Sequence, residues 1–141
     1  MPPMPVSAGP VVVALPTADR ATAHAFYRDG LGFETIGELA DDGVPEPLQF
    51  VVNEGLRLMF IPTGGFGWSV GENEVAPRGT SECLLSLSVA ADDEVDAAVD
   101  RAAGAGATVV APPARQPWGY TATFADPDGH LWQVLAVPPE S

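Results

Sequence analysis

The chain's stock of reactive side chains is small. It has two histidines (His24 and His130), one cysteine (Cys83) and no lysine. Without lysine, Schiff-base chemistry and P-loop phosphate binding are excluded. One cysteine excludes an internal disulfide framework and a cysteine-based zinc cluster, and two histidines exclude a three-histidine metal site. His24 has Arg20 and Arg28 four residues to either side, which reads as a solvated, polar helix face. Asp126 and Asp128 could act as paired carboxylates, but Asp126-Pro127-Asp128-Gly129 is also what a tight turn selects, and the turn is our reading. His130 then reads as a residue at the end of a hairpin. Cys83, in an apolar run with no cation nearby in sequence, reads as an inert core thiol. No catalytic residue is assigned.

The remaining candidates are one cation and a set of aromatic and neutral side chains. Arg57 alternates with Leu56 and Leu58, so on a strand it shares a face with Met59. A guanidinium there can meet an anionic or planar group. Phe66 and Trp68 stand in a glycine-rich stretch where no periodic face explains their burial. They either contact a ligand or cap the core or a dimer interface. Trp118 and Tyr120 enter the last hairpin. Trp132 sits next to Gln133 and faces the other way by strand alternation, so it is expected to pack beneath the sheet.

The elements that must position these residues follow from hydrophobic period and turn chemistry. The β-branched run at 11–15 predicts a buried strand. Thr17 and Asp19 offer caps for a helix over 20–31, closed by Gly30 or Gly32. Strands are expected over 33–39, 48–52 and 56–61, the last two joined by an Asn53-Glu54-Gly55 turn. Residues 62–80 have no clear period and read as a linker or a binding loop, with Trp68 expected to close over a ligand. A strand over 83–89, a helix over 92–103, and strands over 108–110, 120–124 and 131–137 complete the chain. The order strand–helix–strand–strand–strand therefore occurs twice, and neither half alone could bury both faces of its sheet.

Composition limits the partners. The chain has 15 glycines and 15 prolines among 141 residues, which argues for short elements and against a helical bundle. Six Arg against 19 acidic residues give a formal net charge of −13, which disfavours nucleic acid and anionic membrane surfaces. The longest apolar runs fall far below the ~18 residues of a membrane helix, and no basic stretch precedes the first one, so a cytoplasmic location is expected.

Two segments carry a family resemblance. Asp19, then Ala25-Phe26-Tyr27-Arg28-Asp29-Gly30-Leu31-Gly32-Phe33, resembles the first helix of the vicinal oxygen chelate superfamily. This group includes glyoxalase I, bleomycin-resistance proteins and extradiol dioxygenases. Trp118-Gly119-Tyr120, followed by Phe124-Ala125-Asp126-Pro127-Asp128-Gly129-His130-Leu131-Trp132, is similar to its terminal hairpin. The stretch Ser81–Val89 followed by Glu94-Val95-Asp96 is similar to an uncharacterised, lactoylglutathione lyase-like subgroup.

The resemblance implies an α+β fold. Two βαβββ modules would form a curved mixed sheet around a cleft, in a single domain over 1–141. Module one would lie at about 11–61, the linker at 62–80 and module two at about 81–137. The resemblance also implies a homodimer. It places the family's metal-ligand positions at Val12, Met59, Leu84 (within about a residue, around Cys83) and Gln133, where Glu is usual. Val, Met and Leu offer no donor to a hard or borderline divalent ion, and Gln133 offers one neutral oxygen. No metal and no cofactor are therefore expected. The expected function is metal-independent binding of an aromatic or planar small molecule, such as an antibiotic, through Arg57, Met59, Phe66, Trp68, Trp118, Tyr120 and Gln133. The alternative is a lyase or isomerase of the same fold, metal-independent or, less favoured by these residues, metal-dependent.

Overall fold

A computed structural model describes residue 6 and residues 9–71 and 73–137. The proline-rich stretch over 1–10, whose composition predicts an extended lead-in, lies largely outside the described residues. The first module contains β1 (Val11–Thr17), α1 (Arg20–Ala25), β2 (Glu34–Ile36), β3 (Leu48–Asn53) and β4 (Leu56–Pro62). After α2 (Thr63–Ser69), the second module contains β5 (Leu84–Val89), α3 (Asp92–Gly104), β6 (Thr108–Gln116), β7 (Gly119–Ala125) and β8 (Leu131–Ala136). The fold is α+β, with two four-stranded mixed sheets ordered β1-β4-β3-β2 and β5-β8-β7-β6. In each sheet the first strand runs parallel to the last, and the other pairs are antiparallel.

Local chemistry sets the helix boundaries. The Asp19 carboxylate accepts hydrogen bonds from the Ala21 and Thr22 N–H groups and caps α1. These bonds and the Thr22 hydroxyl hold the Asp19 carboxyl below its usual range, the hydroxyl bond first. The helix continues as one wide π turn over Phe26–Gly30, closed by Leu31 N–H donating to Phe26 O. Two glycines are required at this end. A Cβ on Gly30 would lie 2.4 Å from Ala105 Cβ, so Gly30 permits the close approach of the two modules, and Gly32 has φ +75°. At α3, Glu94 reaches back to accept from the Ala90 and Ala91 N–H groups.

One hydrophobic core runs through both modules. Leu58, Phe60, Phe50 and Leu48 meet it from the first sheet, Trp132, Val134, Phe124 and Ala122 from the second, and Phe26, Tyr27, Val95 and Val99 from the helices. Trp132 is buried beneath its sheet, as alternation predicts.

Several expectations are corrected. Residues 62–80 do not form a continuous loop, because 63–69 make the helical turns of α2. Ser69 Oγ donates to Gly65 O there, and Gly65 lies close to Ile61, where a Cβ would come within 3.2 Å of Ile61 Cγ2. The strand expected over 108–110 extends to Gln116 through Pro112 and Pro113. β6 is an edge strand with register shifts, so the missing proline N–H groups break no interior ladder. The strand expected over 33–39 is only Glu34–Ile36, ended by Gly37 at φ +101°. His24 is not solvated: it is 6% exposed beside Phe50. Cys83 is not a core thiol. It precedes β5, an edge strand exposed along much of its length, and is itself exposed.

Candidate functional site

Each sheet has an inner face against the core and an open face. On β4, Leu58 and Phe60 point inward, so Arg57 and Met59 share the open face. Met59 lies between Ala14 on β1 and Gln49 on β3, and Arg57 between Val12 and Val51. On β8, Trp132 and Val134 point inward, and Gln133 lies on the open face between Ser86 and Thr123. The Ser86 hydroxyl donates to Gln133 Oε1 at 3.3 Å.

On the first strand of each module, the cross-strand neighbours of Met59 and Gln133 are thus Ala14 and Ser86. These lie two residues beyond Val12 and Leu84, on the same faces. Either register gives the same chemistry: alkyl groups, one thioether, one amide and at most one hydroxyl. For a divalent ion that set supplies one neutral amide oxygen and at most one hydroxyl, with no carboxylate, imidazole or thiolate.

The other candidates occupy different places. Phe66, on α2, lines a cavity of about 500 Å³ between the end of β1, residues 75–83 and the β7–β8 turn. Trp68, also on α2, does not line that cavity and is 85% exposed. Trp118 is 66% exposed and borders a shallow hollow with Arg115 and Asp92. Tyr120 alternates to the helix side of β7, where its hydroxyl donates to Asp96 Oδ1 at 2.7 Å and Arg115 lies over its ring. The Asp96 hydrogen bond is the main reason its phenol is held above the usual range. The structure therefore brings Arg57 and Met59 together, puts Gln133 on the corresponding face of the second sheet, and sets the four aromatic residues apart from them.

A carboxylate oxygen of Asp126, one of Asp128 and a ring nitrogen of His130 lie within 4.8 Å of one another. Their hydrogen bonds account for this cluster as a structural knot. Asp126 Oδ1 accepts from the Asp128 and His130 N–H groups, and Oδ2 accepts from the Tyr27 hydroxyl, which in turn accepts from Trp132 Nε1. Asp128 accepts from the Thr17 hydroxyl and the Ala18 N–H. His130 Nε2 lies 2.7 Å from Pro16 O and so carries the proton there. Burial pushes the Asp126 carboxyl up against these hydrogen bonds, and burial, then the Asp126 charge, pushes the Tyr27 phenol well up.

Sequence reasoning assigned Asp126 to the turn and missed that it also ties β7–β8 to the first module's helix. It also missed the cavity that Phe66 lines. The adjacent Val75-Ala76-Pro77 run, apolar but aperiodic, was the available signal for that cavity.

Comparison with known proteins agrees with this architecture. A hypothetical protein of S. aureus is 24% identical with TM-score 0.79, covering 96% of this chain and 96% of its own. A glyoxalase-related enzyme from Fulvimarina pelagi is 26% identical with TM-score 0.77, covering 92% and 90%. TnmS3, an antibiotic binding protein from Streptomyces sp. CB03234, is 25% identical with TM-score 0.63, covering 96% and 100%. No curated protein matches. Residues 9–134 match the family model of the Glyoxalase/Bleomycin resistance protein/Dioxygenase superfamily, and the chain belongs to that superfamily.

Proposed function

We propose that this protein binds an aromatic or planar small molecule, such as an antibiotic, without a metal and sequesters it unchanged, as a homodimer in the cytoplasm. The observation that carries this reading is the donor set on the open faces. Met59 and Gln133, with Ala14 or Val12 and Ser86 or Leu84 beside them, leave a divalent ion only a neutral amide oxygen and at most one hydroxyl. What they offer instead is an apolar floor with an amide and, at Arg57, a guanidinium that can stack on a flat ligand. The likeness to TnmS3 supports the antibiotic class.

The dimer is supported by the sheet edges. β5 (Leu-Leu-Ser-Leu-Ser-Val) carries neither charge nor proline, and β1 has its only proline near its end, while Leu84 and Val12 are 50% and 45% exposed. A second copy laid against these edges would bring open faces of both chains around one ligand. The exposed rings of Trp68 and Trp118 are then available to close the site.

The test combines metal analysis with a screen of planar aromatic compounds. The purified protein should carry no stoichiometric divalent ion, and EDTA should leave Tm unchanged. A screening hit should raise Tm and be recovered chemically intact. Arg57→Ala and Trp68→Ala should each weaken that hit by about 1–3 kcal/mol. About one Zn²⁺, Ni²⁺ or Fe²⁺ per chain, or conversion of the hit, would overturn the reading.

A further inference from the structure

The cavity of about 500 Å³ between the modules adjoins the open faces at Pro16 and Leu131 but does not include the ligand positions proposed there. Arg57, Met59, Trp118, Tyr120 and Gln133 do not line it. It lies where the end of β1, α2, residues 75–83 and the start of β8 converge, within the usual size range of small-molecule pockets. Its walls are largely apolar, with Leu15, Phe66, Val75, Leu85 and Leu131 among them.

Its polar end is asymmetric. The two oxygens of Asp128 each accept one hydrogen bond from the protein, from Thr17 and Ala18, and each keeps accepting capacity. His130 spends its Nε2 proton on Pro16 O, so in the neutral ring Nδ1 is an acceptor. Arg78, the cation of this lining, is engaged. It donates to Pro127 O, and its stem crosses Gly129, whose added Cβ would lie 3.1 Å from Arg78 Cγ. Gly129 has φ +93°, so this turn and the arginine lying on it are matched in shape. Arg78 thereby pins residues 75–83 over the cavity.

We propose that this cavity is a second binding site, for a small, mainly apolar, uncharged or monocationic molecule with a hydrogen-bond donor at one end. The donor faces Asp128 and His130, and the apolar body lies against Phe66 and Leu85. Anions are disfavoured because Glu82 and Asp128 outnumber Arg78 in the lining and the chain's net charge is −13.

Cys83 lines the cavity and is the chain's one cysteine, so its alkylation gives a single readout beside this site, followed at a dilution where the chain is monomeric because the proposed dimer edge at Leu84 adjoins it. The experiment follows modification of the full chain by iodoacetamide, using intact mass, with naphthol, methoxynaphthalene or naphthoate present. Naphthol at ten times its Kd should slow alkylation about tenfold, by mass action. Methoxynaphthalene, which lacks the donor, and naphthoate, which is anionic, should protect far less at the same concentration. Leu85→Phe, which narrows the cavity, should remove the protection. If that variant does not fold, amide shifts of the wild-type protein on naphthol addition must map to residues 75–83 and 128–131. No protection by any probe overturns the site. Equal protection by all three overturns the donor requirement. Amide shifts confined to residues 57–59 and 133–135 overturn the location.

Discussion

The inner and open faces of the two sheets are made from alternate residues of the same strands, yet they differ in how fully they are partnered. Inward, Tyr27 packs against Phe26, Phe33, Phe50, Phe60 and Trp132 and hydrogen-bonds Asp126, and each described buried polar side-chain atom has a partner. Outward, Arg57, Met59 and Gln133 lie at half-buried positions among mixed alkyl, hydroxyl and amide neighbours, and Val12 and Leu84 expose apolar surface. A face that is closed within the chain serves the fold. A face whose apolar groups are left open has capacity for something outside the chain. The comparison therefore predicts that substitutions inward cost stability, whereas substitutions outward cost association.

The largest effect is expected at Tyr27, where the two modules meet. Tyr27→Ala removes a fully buried ring at the centre of the aromatic cluster and should cost about 3–5 kcal/mol in denaturant unfolding. Tyr27→Phe keeps the ring but leaves Asp126 Oδ2 and Trp132 Nε1 without their shared partner, and should cost about 1–3 kcal/mol. A Tyr27→Phe variant as stable as the wild type would show that the hydroxyl contributes packing only, and the inward face would be less tightly specified than its hydrogen bonds indicate.

These two faces were not equally legible in the sequence. The period-two runs of β4 and β8 put Arg57 and Met59 on one face and set Trp132 opposite Gln133, because alternation is a local property. The glycines at 30, 32 and 129 marked true ends and turns, because close approach and positive φ leave few other choices. Long-range pairing was not legible. Tyr27 and Asp126 are 99 residues apart, and nothing local to Asp126 distinguishes a turn aspartate from one that also receives a buried phenol. The helix α2 was hidden because Gly64, Gly65 and Gly67 give it little intrinsic propensity, so its packing beside Ile61 decides it. His24 was misread because arginines on either side suggested solvent, while Phe50 from a strand far along the chain covers it.

An intermediate effect is expected outward, at the exposed strand edges. Leu84→Asp, alone or with Val12→Asp, places charge on apolar surface that the proposed dimer would bury. Losing a buried Leu contact is worth about 1.5–3 kcal/mol, so each substitution should raise the dimer dissociation constant about tenfold or more. Unfolding of the separated chain should change little, because neither side chain reaches the core. Sedimentation across a concentration series reads the first quantity and denaturation of dilute protein the second. A variant that stays dimeric while losing stability would reverse the assignment of these faces.

The smallest effect sharpens the boundary between the faces, at His24. Its ring lies 6.3 Å from that of Phe50, and its Nε2 is 3.5 Å from Arg28 Nη1. Burial first, then the Arg28 charge, with a lesser contribution from Arg20, lowers its pKa below 6.5. Asp29 and Asp42 oppose this in part. The folded protein therefore binds fewer protons at this site than the unfolded chain does. The stability His24 contributes is full above 6.5 and is lost as the pH falls through 6.5 towards the lower folded value. Asp126 has the opposite sign: burial raises its pKa above 3.8, so the stability linked to it is lost as pH rises through that raised value. A titration that begins near neutrality thus meets the His24 effect first. Unfolding free energy should decline on acidification from about pH 7.5 to about pH 6, and His24→Gln should flatten that slope whatever it does to the absolute value. The slope is the decisive readout, because a purely steric role for the ring would shift stability equally at both pH values. An unchanged slope in His24→Gln would mean that the ring is hydrated in solution and belongs with the open surface.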